Sequence, residues 1–175
     1  MNSLIAPVFM LLASSFLIDK SFAQNRKFPQ LPARTLSGQD ILYPNALAGE
    51  KSLLVLVFEE FGKYQRPQNQ ANQWLAIWES RIKNQGIPAH EIPMMGGGFR
   101  LFRGWIDEGM RGGIPDENHG TVSCFYGDKG KYRKILNIES YDEAQIFLLD
   151  ETGCILFQTS GAPNQESIEG LLGVL

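Results

Sequence analysis

Apolar runs and amphipathic stretches alternate along this chain. Leu53-Leu54-Val55-Leu56-Val57-Phe58 is an unbroken apolar run, the signature of a strand buried on both faces in the middle of a sheet. After a polar turn from Gly62 to Pro67, the residues Ala71, Trp74, Leu75, Trp78 and Ile82 recur at helical spacing, with Gly86 placed as a C-cap. Ile87 to Met95 is a second apolar stretch, broken by Gly96-Gly97-Gly98. Phe99, Phe102, Ile106 and Met110 form a second helical stripe that ends at Gly112-Gly113 and Pro115. Thr121 to Tyr126 reads as a strand and Lys131 to Ile138 as a short helix. Gln145 to Leu149 and Cys154 to Thr159 predict a hairpin around Asp150-Glu151-Thr152-Gly153. Ile168, Leu171, Leu172 and Leu175 mark a terminal helix after Pro163. This order predicts one α/β domain, a sheet with helices on both faces.

Two segments precede that pattern. Leu4 to Ile18 is apolar and uncharged, too short to span a bilayer comfortably as a helix, which takes about 20 residues. It has the length of a signal-peptide core, and Ser21-Phe22-Ala23 offers small residues ahead of a cut before Gln24. The alternative is an uncleaved membrane anchor. Leu31 to Leu47 is polar and proline-bearing, with a short apolar patch at Ile41-Leu42-Tyr43. It is expected to be an entry segment that lies on the domain. The chain thus divides into a signal peptide (1–23), an entry segment (24–50) and the folded domain (51–175).

Composition narrows the function. Of 175 residues, 43% are hydrophobic and 20% charged, which excludes a disordered chain and a membrane bundle. A net charge of −3 argues against a nucleic-acid binder held by phosphate contacts. The charge is uneven: residues 24–115 sum to +3 and residues 116–175 to −6, a polarised surface. Two cysteines cannot build a disulfide scaffold, and no His/Cys cluster has zinc spacing.

The order of elements, with Phe147-Leu148-Leu149-Asp150, Gly153 and a second hairpin strand, resembles a thioredoxin-like domain of the peroxiredoxin and thiol-reductase branch. A narrower likeness lies in Gly109-Met110-Arg111 with Ile114-Pro115, in Tyr126-Gly127-Asp128, in Leu136-Asn137-Ile138 and in Thr159-Ser160-Gly161 closing the hairpin. Together these resemble the mitochondrial ATP-synthase assembly factors, over roughly Ser52 to Leu172. That resemblance implies a central mixed sheet, a C-terminal β-hairpin plus helix, and a chaperone-like role in building a membrane complex. The export signal departs from a mitochondrial address.

Thioredoxin chemistry needs a nucleophilic cysteine after the first strand, at a helix N-terminus that lowers its pKa. Here that stretch is Glu59-Glu60-Phe61-Gly62-Lys63-Tyr64-Gln65-Arg66-Pro67, without a cysteine. The proline that precedes the hairpin strand in the superfamily is also missing, its place held by Glu143-Ala144-Gln145. No catalytic residue, cofactor or metal site is therefore expected. Cys124 and Cys154 are expected on strands toward opposite edges, roughly 15–20 Å apart at a strand spacing of about 4.8 Å. As an exported thiol-disulfide or peroxide oxidoreductase, the alternative function, the chain would have to use one of them.

Partner binding is expected from one helix. Arg103, Asp107 and Arg111 recur at four-residue steps beside the apolar stripe and Met110; they form either a docking face for an acidic protein partner or a row of intrahelical ion pairs. Phe99, Phe102 and Trp105 cover more than one face of that helix, which leaves part of it as a contact patch for a partner or a membrane. The Gly96–Gly98 run reads as a hinge. His90, His119 and the adjacent carboxylates Glu59-Glu60 and Asp150-Glu151 converge on no site by spacing. The expected protein is exported, periplasmic or extracellular, and catalytically silent.

Overall fold

The computed structural model describes Arg26–Leu175, Phe61 excepted. The apolar run Leu4–Ile18 and the cut before Gln24 lie outside the described residues.

Seven strands form one mixed sheet. In chain order they are β1 (Leu31–Thr35), β2 (Asp40–Tyr43), β3 (Ser52–Phe58), β4 (Ala89–Gly96), β5 (Ser123–Gly127), β6 (Gln145–Leu149) and β7 (Ile155–Ser160). Their spatial order is β2-β1-β5-β4-β3-β6-β7. β3 is an inner strand, parallel to β4 and antiparallel to β6, and all its residues are buried. That is why it reads as a continuous apolar run. Its side chains alternate between two cores. Leu53, Val55 and Val57 point to the face covered by α1 (Gln65–Ile77) and α4 (Gln165–Leu172). Leu54, Leu56 and Phe58 point to the face covered by α3 (Lys129–Ile135) and by the chain around Phe28 and Leu47. Each fully buried leucine here contributes about 2 kcal/mol by leaving water.

α2 (Arg103–Gly113) packs on the same face as α1, over Met95, Val122, Cys124 and Tyr126. α1 continues through a π-helical turn (Trp78–Ile82) and a tight turn (Lys83–Gln85), and Gly86 ends it at φ +77°. Trp74 and Trp78 anchor it, their indole N–H groups donating to Gly161 O (2.9 Å) and Ile87 O (2.7 Å). The α/β class, the helices on both faces and the C-terminal hairpin plus helix are all present.

Leu31 to Leu47 departs from expectation. It is not a segment laid over the domain but an antiparallel hairpin, β1–β2, that extends the sheet beyond β5. Leu31 and Tyr43 are fully buried, yet β2 otherwise shows exposed or half-buried residues. An edge hairpin with so few inward positions leaves too little alternation to be read as strand.

Candidate functional site

The corner where thioredoxin-type chemistry would sit is built by the end of β3, the start of α1 and the turn before β6. Gly62, at φ +77°, turns the chain out of β3. Gly62, Lys63, Gln65, Arg66 and Asp142 line an open depression of about 300 Å3. Arg66 lies 3.8 Å from Glu143. Lys129 reaches in from α3, donating to the Glu59 carbonyl oxygen. Tyr141 stacks on Phe58 with centroids 4.7 Å apart, and both Lys129 and Arg133 lie over its ring, at 4.7 and 5.0 Å. Burial pushes the Glu59 carboxyl up, opposed by the Lys129 charge. Ala144 holds the place before β6, and its N–H donates to Gln70 Oε1 at 3.0 Å. The corner therefore offers cations, carboxylates and an aromatic ring, but no thiol.

Both cysteines lie elsewhere. Cys124 is buried in β5, its Sγ donating to Met110 Sδ at 3.7 Å. Burial first, and the Asp107 carboxylate second, push its thiol up to about 12. Such a group stays protonated at neutral pH and is a poor nucleophile. Cys154 is half-buried in the β6–β7 turn, its N–H donating to Asp150 Oδ1 at 2.8 Å. Four strand steps separate β5 from β7, roughly 19 Å at about 4.8 Å per step. A disulfide needs Cα atoms within about 7 Å, and the two thiols are free.

The structure divides the four helix residues singled out for partner binding. Asp107 is 7% exposed. It accepts a 2.6 Å hydrogen bond from the Tyr126 hydroxyl and lies 3.7 Å from Arg103. Burial and this carboxylate drive the Tyr126 pKa upward. Met110 packs against Cys124. Arg111 Nε donates to Leu36 O at 2.8 Å while its terminal nitrogen pairs with Glu108 at 2.8 Å. These three fasten α2 to the sheet. Arg103 keeps 40% of its side chain exposed.

The large apolar side chains left exposed at this end of the fold are Leu101 and Phe102, in the tight turn before α2, and Trp105 in its first turn. Phe102 and Trp105 were legible as surplus aromatics; Leu101 had no periodic signal. Beside this cluster a cleft of about 650 Å3 opens where β1 leaves β5. Their pairing covers only Arg34↔Cys124 and Thr35↔Ser123, and Ala33, Phe125, Arg100, Arg103 and Lys131 are among its lining residues. Among the described residues, no group of three or more His, Cys, Asp or Glu side chains could hold a metal ion.

No family model and no curated protein sequence matches the chain. Solved structures do match. A putative thiol:disulfide interchange protein, DsbE, from Chlorobium tepidum aligns with a TM-score of 0.58 at 15% identity, over 88% of this chain and 99% of that one. The thioredoxin domain of a thiol-disulfide oxidoreductase from Bacteroides vulgatus aligns at 0.55 and 13%, over 87% and 97%. BsSco, a member of the Sco family of cytochrome c oxidase assembly proteins, aligns at 0.54 and 13%, over 86% and 92%. At these identities the likeness concerns the fold. The chain has the thioredoxin-like fold.

Proposed function

We propose that the protein is a non-catalytic thioredoxin-like domain of the cell envelope that acts by binding, as an assembly or chaperone-like factor for a membrane complex. The observation that carries this reading is the corner between β3 and α1. Glu59–Pro67 holds no cysteine and Ala144 stands before β6. Nucleophile and proline are missing together, so the corner has no thiol to attack a disulfide or a peroxide. Further support comes from the likeness of Gly109-Met110-Arg111 and the hairpin to the ATP-synthase assembly factors. BsSco, which shares the fold, is a member of the Sco family of cytochrome c oxidase assembly proteins. Export follows from Leu4–Ile18 and Ser21-Phe22-Ala23 read as a cleaved signal. On α2 the partner-facing charge is Arg103, with Asp107, Met110 and Arg111 fixing the helix that presents it. The reading calls for a protein partner and no cofactor.

The second reading is an exported thiol-disulfide or peroxide oxidoreductase using Cys124 or Cys154. It is favoured by aligned structures that are named for thiol-disulfide chemistry. One experiment separates the two. Where deletion of the gene produces a growth defect, a Cys124→Ala, Cys154→Ala double variant corrects that defect as fully as the wild type if the protein works by binding. Loss of complementation by a stably folded double variant would refute that function.

A further inference from the structure

Gly97 to Ile106 carries a surface that the fold leaves unused. Leu101, Phe102 and Trp105 are 89, 60 and 81% exposed, and they cluster where a tight helical turn (Gly97–Phe102) runs into α2. The charges that precede and interleave with them in the chain are arginines. No carboxylate occurs from Ile92 to Ile106, while Arg100 and Arg103 lie between and beside the apolar residues. Arg100 has a single weak contact, 3.5 Å from the Tyr126 carbonyl oxygen. Arg103 meets Asp107 at 3.7 Å and stays 40% exposed. Asp107 itself is buried and engaged by Tyr126, and Glu108, one turn on, is paired with Arg111. In the adjoining cleft, Arg34 is paired with Asp40, Asp128 caps α3, and Lys131 adds a further cation.

We propose that this tip docks onto an anionic lipid bilayer. Trp105, Phe102 and Leu101 enter the boundary between headgroups and acyl chains, and Arg100 and Arg103 meet lipid phosphates. Tryptophan and arginine suit that boundary, since one offers an amphipathic ring and the other a forked donor on an apolar stem. The charge match selects an anionic surface over a neutral one. Membrane docking does not depend on the cysteines; it shares Arg103 with the proposed protein contact, so Arg100, which that contact does not use, is the residue to vary.

The test uses the full chain with phosphatidylcholine vesicles, with and without phosphatidylglycerol, and with brominated acyl chains as quenchers. The quencher reads the position of the indole itself, whichever other segment meets the lipid. Trp74 is buried in the core and Trp78 half-buried, both with bonded indole N–H groups; a Trp105→Phe variant identifies the responding residue. Expected are a blue shift of emission and bromine quenching on anionic vesicles, both lost in Trp105→Phe. An Arg100→Glu variant, fully folded by circular dichroism, should need about 30-fold more anionic lipid for the same quenching. Unchanged iodide access to Trp105 with anionic vesicles would overturn the proposal, as would equal insertion into neutral vesicles. A concentration-dependent dimer that Trp105→Asp dissolves, without lipid quenching, would also overturn it and give the face to a second copy.

Discussion

Replacing Asp107 by Ala tests whether the charged row of α2 is an anchor. The carboxylate is 7% exposed and accepts a 2.6 Å bond from a tyrosine that is itself 8% exposed. Removing it strands the Tyr126 hydroxyl in a desolvated place, a loss of about 1–3 kcal/mol for an unsatisfied buried group. The half-exposed Arg103 adds little, because solvent screens a pair of this kind. Asp107→Ala should therefore lower stability by about 2 kcal/mol, and Tyr126→Phe, which leaves the buried carboxylate without its donor, by a similar amount. At about 2–4 °C per kcal/mol for a domain of this size, each variant melts roughly 4–8 °C lower. Both remove the same bond, so the double variant should lose less than the sum, with a coupling of about 1 kcal/mol or more. Urea unfolding followed by far-ultraviolet circular dichroism measures all four corners of the cycle. Single variants within about 0.5 kcal/mol of wild type, or strict additivity, would refute the anchoring argument. The row would then be free to face a partner.

Other outcomes follow from the same structure. Burial lowers the His90 pKa to about 4 from an ordinary 6.5, so the unfolded chain binds the extra proton between those values. Stability should fall as pH drops from 6.5 to 4, by up to about 1.4 kcal/mol per pH unit. A His90→Gln variant should flatten that slope, and an unchanged slope would rule out His90 as its source. The neighbouring Glu91, whose carboxyl is pushed up by burial, acts in the opposite sense: its stabilising effect is present at low pH and lost as pH rises through its folded value. Gly153 has φ +82°, and an added Cβ would meet Pro44 at 2.6 Å, whereas Gly86 has φ +77° with open space around it. Gly86→Ala should cost about 1 kcal/mol from backbone strain alone, and Gly153→Ala clearly more. Equal midpoints in urea for the two variants would contradict the close packing of Pro44 on the hairpin turn.

Much of the fold was legible because burial writes itself into sequence where a strand is covered on both sides. β3, buried from Ser52 to Phe58, and β6, buried from Gln145 to Leu149, are apolar runs after their first residue. The β1–β2 hairpin was not legible, since Pro32, Arg34 and Asp40 interrupt the apolar pattern of an edge that is half solvated. Phe102, the residue just before α2, joins the apolar stripe of that helix by spacing. The backbone at Phe102 (φ −103°, ψ 5°) leaves the helical region, so its ring goes to solvent while Ile106 and Met110 pack inward. Asp107 looked like a surface charge because its partner, Tyr126, lies on another element; periodicity cannot show a bond across 19 residues. At the candidate site, by contrast, the missing cysteine and proline were visible as plain letters. Chemistry that depends on one residue type is readable in a sequence, whereas a surface that depends on which face is left bare is not.

The central claim is that this thioredoxin-like domain does no thiol work, and its most direct test is the intact mass of the native protein after alkylation, with and without prior reduction. The account predicts no disulfide, a Cys124 that resists alkylation until the chain is unfolded, and both cysteines modified in denaturant without reductant. A native Cys124–Cys154 bond would contradict the strand order, and a Cys124 that reacts faster than a simple thiol in the folded protein would contradict the claim itself.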